Sequence, residues 1–264
     1  MTTGNRPHSV TFGHGPRAAL ALHCTLAHAG AWRGLGAALA DQFTVTAIDL
    51  PGHGKSRPWT GAGDLHDACT AQAAACLTEP VDVIGHSFGA TVALRLAIDH
   101  PDIVRSLTLI EPVLFAAARL DAPDEVAAHM VEAQPYMEAL EAGDMAVAAR
   151  LFNRLWGDGT RWDEIRTSAR TYMSERMYLI PLQSHAIFED SARLLSPDRI
   201  ARASMPSLLV SGSDSPPVAR AINKALARRL PDARELTVDG AGHMVPLTHP
   251  QAVAKAIRGL IEVA

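Results

Sequence analysis

A cationic surplus is missing from this 264-residue chain: 24 Lys and Arg stand against 28 Asp and Glu, a formal net charge of −4 with the histidines neutral. A phosphate backbone demands the opposite balance, so nucleic acid is excluded as the expected partner. Cysteine is scarce too. Cys24, Cys69 and Cys76 cannot all pair, and Cys69 and Cys76, seven apart on an expected helix, read as small buried hydrophobes of a reducing compartment. No apolar run approaches the roughly 18 residues of a membrane span, and Met1 to Val10 is polar where a signal peptide would carry its apolar segment. The expectation is a soluble, cytoplasmic protein with no membrane partner. Neither H-E-x-x-H nor paired cysteines at metal-ligand spacing occur, so no metal is required. Two glycine-rich stretches fail as nucleotide sites. Gly54-Lys55-Ser56 would need its first glycine at Asp49, and Gly13-His14-Gly15-Pro16-Arg17-Ala18 precedes a strand instead of joining strand to helix. No cofactor is expected.

What is present is ordinary globular material, 48% hydrophobic and 20% charged, in a chain long enough for one large domain. Short apolar runs at Ala18–His23, Phe43–Asp49, Val81–Gly85 and Ser106–Ile110 predict strands. Between them, Ala31–Ala40, Asp64–Leu77 and Thr91–His100 carry Ala and Leu at helical spacing, with Asp64 as an N-cap. Strand alternating with helix predicts a mainly parallel sheet. From Val113 to Pro197 no strand candidate occurs. Strands return at Ser207–Ser211 and Glu235–Val238, with helices at Val218–Leu230 and Gln251–Val263. Residues 113–197 are therefore expected to be a helical insertion into an α/β core made of 1–112 and 198–264. That block holds eight of the thirteen aromatics (Phe115, Tyr136, Phe152, Trp156, Trp162, Tyr172, Tyr178, Phe188) and five of the eight methionines. It also carries thirteen acidic against eight basic residues, a balance of −5. Such a composition suits the roof of an apolar pocket.

Chemistry concentrates in Val81-Asp82-Val83-Ile84-Gly85-His86-Ser87-Phe88-Gly89-Ala90, a buried-strand pattern running through G-x-S-x-G into an Ala-rich helix. This is a nucleophile elbow in its required context. The turn holds the Ser87 hydroxyl above the strand's end, with a helix N-terminus beneath it to favour developing negative charge. A serine hydroxyl needs a base, and imidazole serves near neutral pH. Among twelve histidines, His243 lies in a glycine-rich loop after the final expected strand, Gly240-Ala241-Gly242-His243-Met244, and is the favoured base. His86 and His53 sit inside tight turns and read as packing groups. Cys24 is in the wrong place for the elbow and is not read as a nucleophile.

Together with Leu22-His23-Cys24-Thr25 and Asp49-Leu50-Pro51-Gly52-His53-Gly54-Lys55-Ser56, these motifs resemble the α/β-hydrolase superfamily from about Ser9 to the C-terminus. The resemblance implies a mostly parallel central sheet flanked by helices, a helical lid inserted after strand six, and the catalytic histidine at His243. It also implies an acid in G-x-x-D after a late strand, but Gly212-Ser213-Asp214-Ser215 puts serine there and moves the aspartate one place early. In extended chain that shift turns a side chain to the other face. Glu111, in Leu109-Ile110-Glu111-Pro112 at the tip of a neighbouring strand, is therefore the preferred acid, and Asp214 the alternative. For the oxyanion hole the resemblance implies the Phe88 backbone N–H and a second donor after a His-Gly pair. Here the pair is His23-Cys24, so Thr25 matches and Leu26 is the fallback. The expected function is a cofactor-free serine hydrolase, a carboxylesterase acting on small to medium apolar or aromatic esters. Carbon–carbon bond hydrolysis, perhydrolysis and cofactor-independent oxygenation stand as alternatives on the same fold, and a low-turnover ligand-binding receptor as one of another class.

Overall fold

The computed structural model describes residues 7–262; the N-terminal reading for Met1–Arg6 and the last residue of the expected helix ending at Val263 lie outside the described residues. Seven strands form one sheet among the described residues: β1 (Ser9–Phe12), β2 (Arg17–Leu22), β3 (Phe43–Ile48), β4 (Val81–His86), β5 (Val104–Ile110), β6 (Ser207–Gly212) and β7 (Ala233–Val238). Their order is β1-β3-β2-β4-β5-β6-β7, and every pairing is parallel except that of β1 with β3. The six expected strands are all present. β1 was not read as a strand, because four residues with alternating half-burial on a sheet edge give little periodic signal.

β4 and β6 are buried along their whole length, which is why they read as continuous apolar runs. The exception inside β4 is Asp82, whose carboxylate accepts from Arg17 at 2.6 and 2.8 Å, Arg105 at 2.9 Å and Ser106 Oγ at 2.6 Å. A charge taken out of water is tolerated only when so fully partnered. The helix Leu65–Ala74 starts where expected, with Asp64 accepting from the Asp67 N–H at 2.9 Å. Cys69 is buried on that helix, whereas Cys76 lies beyond its end and is half-buried.

Between β5 and β6 the chain is helical, with helices at Phe115–Asp121, Pro123–Glu141, Met145–Trp156, Thr167–Arg176, Ser184–Glu189 and Pro197–Ile200. In chain order this block follows the fifth strand of the described residues, not the sixth. It does not stand apart from the core: Phe115, Ala117, Val126, Trp156, Leu179 and Ile187 belong to one buried cluster with Leu22, Val83 and Leu109 of the sheet. No helix among the described residues is long and apolar enough to cross a membrane.

Candidate active site

Ser87 leaves β4 with φ 57° and ψ −120°, in the left-handed region that a non-glycine residue adopts only at a cost of about 1–3 kcal/mol. The surroundings over-determine it. Its N–H donates to the Ile110 carbonyl at 2.9 Å, and its carbonyl accepts from Ala90 at 3.0 Å in the first turn of the helix Phe88–Asp99. At Gly89 a Cβ would come within 2.4 Å of the Leu22 and His23 carbonyl oxygens, so only glycine lets this helix start against β2.

Glu111 follows β5 directly, also with a positive φ of 49°, and its side chain is fully buried. A buried carboxylate requires partners, and each oxygen has them. Oε1 accepts from the Gly212 N–H and the Ser215 hydroxyl, both at 2.7 Å, and Oε2 lies 3.1 Å from His243 Nδ1. A proton on Nδ1 leaves the Nε2 lone pair of His243 free to accept another. Ser215 stands where the resemblance implies an aspartate, and it serves the glutamate that comes from the neighbouring strand. Asp214 does not meet His243: it is exposed, and its carboxylate accepts from Ser213 Oγ at 2.8 Å. The one-residue shift has turned it into solvent.

His243 is buried beneath Trp156, whose ring meets it edge-on at 4.6 Å. Its loop passes so close to β6 that a Cβ on Gly212 would sit 2.0 Å from the Ala241 carbonyl oxygen. His86 Nε2 lies 2.9 Å from the His243 carbonyl and fixes the loop from the elbow side. Burial, then the nearby His243, holds His86 well below the usual imidazole range, so it stays neutral.

The loop after β2 brings Thr25 and Leu26 to the same place, and the amides of Thr25, Leu26 and Phe88 donate to no backbone carbonyl among the described residues. His23 is built into this loop. It accepts from the Leu50 N–H at 3.0 Å and has Nδ1 2.7 Å from the Cys24 carbonyl, while burial pushes its pKa down to about 4. Burial likewise pushes the Cys24 thiol up to about 12, which removes it as a nucleophile.

Three successive residues of this loop are held by the helical block. Thr25 Oγ1 donates to Gln183 Oε1 at 2.9 Å; Leu26, with φ 63°, buries its side chain among Ala148, Ala149 and Met177; the Ala27 carbonyl accepts from the Tyr172 hydroxyl at 2.8 Å. The Tyr172 oxygen also accepts from the Gly54 N–H at 2.7 Å. Gln183, Tyr172 and Ser215 were not singled out from the sequence. They act over separations of 104 to 158 residues; Ser215 was met only as the residue replacing an aspartate, Tyr172 only as one aromatic of eight, and no local motif marks Gln183.

Ser87, Thr25, His243, Phe152 and Trp156 line both of two cavities, one of about 720 Å³ bordered by Tyr172, Met173 and Arg166, the other of about 260 Å³ bordered by Phe115, Tyr136 and Phe188. Six of the eight aromatics of the helical block thus reach the site. Trp162 packs against the Leu26 cluster instead, and Tyr178 is exposed.

The family model described as the alpha/beta hydrolase family matches residues 19–256. The chain belongs to the α/β-hydrolase family. Among curated relatives of this α/β-hydrolase, 2-(acetamidomethylene)succinate hydrolase of Mesorhizobium japonicum is 30% identical over 231 residues, 85% of this chain and 80% of the relative. Pimeloyl-[acyl-carrier protein] methyl ester esterase of Aeromonas hydrophila is 29% identical over 257 residues, 95% and 97% of the two chains. The solved structure of 2-hydroxy-6-oxo-6-phenylhexa-2,4-dienoate hydrolase from a Rhodococcus strain superposes with a TM-score of 0.75 at 20% identity, covering 97% of this chain and 94% of that one. At that identity the likeness is one of fold.

Proposed function

We propose that this α/β-hydrolase is a cofactor-free serine esterase that forms an acyl-enzyme at Ser87 and acts on small to medium apolar or aromatic carboxylic esters. The observation that carries the reading is the buried Glu111–His243 pair, whose histidine lines two cavities together with a serine on a strained elbow. In the proposed sequence His243 Nε2 takes the proton of Ser87 Oγ as this oxygen attacks the ester carbonyl. The Phe88 and Thr25 amides, with Leu26 as the next in reach, stabilise the oxyanion. His243 then returns the proton to the departing alcohol, and water, deprotonated by the same imidazole, releases the acid. Glu111 holds the tautomer and offsets the imidazolium charge.

Residues 113–197 are proposed to be the lid over this site, with 1–112 and 198–264 the core. The relatives named as methyl ester esterases favour an ester bond. A dicarboxylate such as that in the name of the Mesorhizobium relative would call for buried cations. The two arginines bordering the cavities, Arg119 and Arg166, are both exposed, which favours uncharged apolar substrates. Cys24 and Cys69, both buried and in no disulfide, suit a reducing cytoplasm.

The test is release of p-nitrophenol from p-nitrophenyl esters, acetate to decanoate, by the wild type and by Ser87→Ala. Turnover that falls by about 10⁶-fold in the variant is the expected result. Serine-independent release, or none from any ester, would overturn the reading.

A further inference from the structure

The smaller cavity is apolar along most of its wall, yet one buried polar side chain in that wall is incompletely paired. Gln183, on the turn Pro181–Gln183 that precedes the helix Ser184–Glu189, is only 3% exposed. Its Oε1 accepts from Thr25 Oγ1, and its Nε2 has no hydrogen-bond partner among the described residues. Of the buried polar atoms in that condition, Gln183 Nε2 is the one whose residue borders the smaller cavity. Of the other buried polar side chains there, Thr25 holds Oε1, Tyr136 meets Phe152 edge-on, and Ser87 and His243 belong to the proposed reaction. Arg119 and Glu189 lie at its exposed edge. An unpaired buried amide donor costs about 1–3 kcal/mol, which a ligand acceptor would recover.

Ser87 lines both cavities, so an ester attacked there can place one of its two parts in each. In acyl transfer the alcohol leaves first, and the acyl group stays bonded to Ser87 until water arrives. The larger cavity suits the group that must depart. The smaller and more enclosed one, walled by Phe115, Tyr136, Ile187 and Phe188, suits the group that remains.

We infer that the smaller cavity is the acyl subsite and that Gln183 Nε2 donates to a neutral acceptor within the acyl chain, so that the preferred substrates are esters of oxo-acids over those of plain alkanoic acids of equal length. This inference rests on the serine-esterase reading. It makes Gln183 a specificity residue through Nε2 and a positioning residue for the Thr25 loop through Oε1.

The experiment compares p-nitrophenyl hexanoate with its 4-oxo and 5-oxo analogues, each kcat/KM divided by the ester's own rate with hydroxide. The wild type is expected to prefer one oxo ester by about tenfold, the worth of roughly one hydrogen bond. Gln183→Glu retains an acceptor for Thr25 and lacks the amide donor; Gln183→Leu lacks both. Both variants should lose the preference, and Gln183→Leu should lower kcat on plain hexanoate further than Gln183→Glu does. Thermal unfolding checks that each is folded, and either variant alone suffices. Equal kcat/KM for oxo and plain esters in the wild type would overturn the inference and leave the esterase reading intact, as would a preference that survives in a folded variant. Absence of hydrolysis of every ester would overturn both.

Discussion

Ser87, Glu111 and His243 stand on loops leaving β4, β5 and β7, three strands of one sheet, whereas Thr25, Leu26 and Ala27 are each held by a side chain from the helical block. The first group inherits its geometry from sheet register and from glycines that let loops pass close to strands. The second has a short irregular loop whose shape depends on Gln183, Met177 and Tyr172, all more than 140 residues away in sequence. The groups proposed to move protons are thus fixed by the core, and the proposed cradle for the oxyanion is fixed by the core and the helical block jointly. Changes to the core group should act on chemistry alone; changes to the insertion should act on chemistry and stability together.

Glu111→Gln gives the largest expected effect on that division. It keeps the shape but cannot hold His243 in the same tautomer, so kcat should fall by about 10³- to 10⁴-fold with KM little altered. Asp214→Asn, measured beside it, should stay within about twofold; a large loss there would reassign the acid. Tyr172→Phe comes next. It frees the Ala27 carbonyl and leaves the Gly54 N–H without its partner, so stability should drop by about 1–3 kcal/mol in urea titration. If the loop contributes the oxyanion donors, kcat should fall several-fold as well. A variant that loses stability with kcat intact would show that the insertion braces the loop without shaping it.

The last comparison concerns acid. Burial pushes His23 and His66 of the core and His129 of the insertion down to about 4. The unfolded chain takes up these protons near pH 6.5 and the folded chain resists until about pH 4, so the unfolded state binds more protons in that window and stability falls as pH drops through it. His129 lies flat against Phe115, and its Nδ1 has no partner among the described residues. His129→Phe should therefore flatten the pH dependence of the urea midpoint by one histidine's share. An unchanged slope would place the acid sensitivity wholly in the core.

Legibility followed the same boundary. The elbow could be read because strand, serine, glycine and helix are contiguous, and His243 because its glycine-rich loop ends the last strand. Glu111 could be preferred over Asp214 because a one-residue slip at the end of β6 reverses a side chain, and the exposed Asp214 accords with that rule. The aromatic richness of residues 113–197 was visible, but not that Trp156 would sit on His243 while Trp162 turned towards Leu26. Composition reports how much apolar surface a segment has; it does not report direction. The roles of Gln183 and Tyr172 were hidden for a stronger reason: a glutamine or tyrosine on a helical segment gains its role only from the loop it meets.

The grip on residues 25–27 also orders events in time. During synthesis β1 to β5, with the elbow serine, emerge before the helices that complete the loop, and β6, β7 and His243 come last. The growing chain therefore carries an exposed serine long before it carries a base or a settled loop to accompany it. Hydrolytic competence should arrive late and all at once, when the closing strands dock and the helical block seats Tyr172 and Gln183.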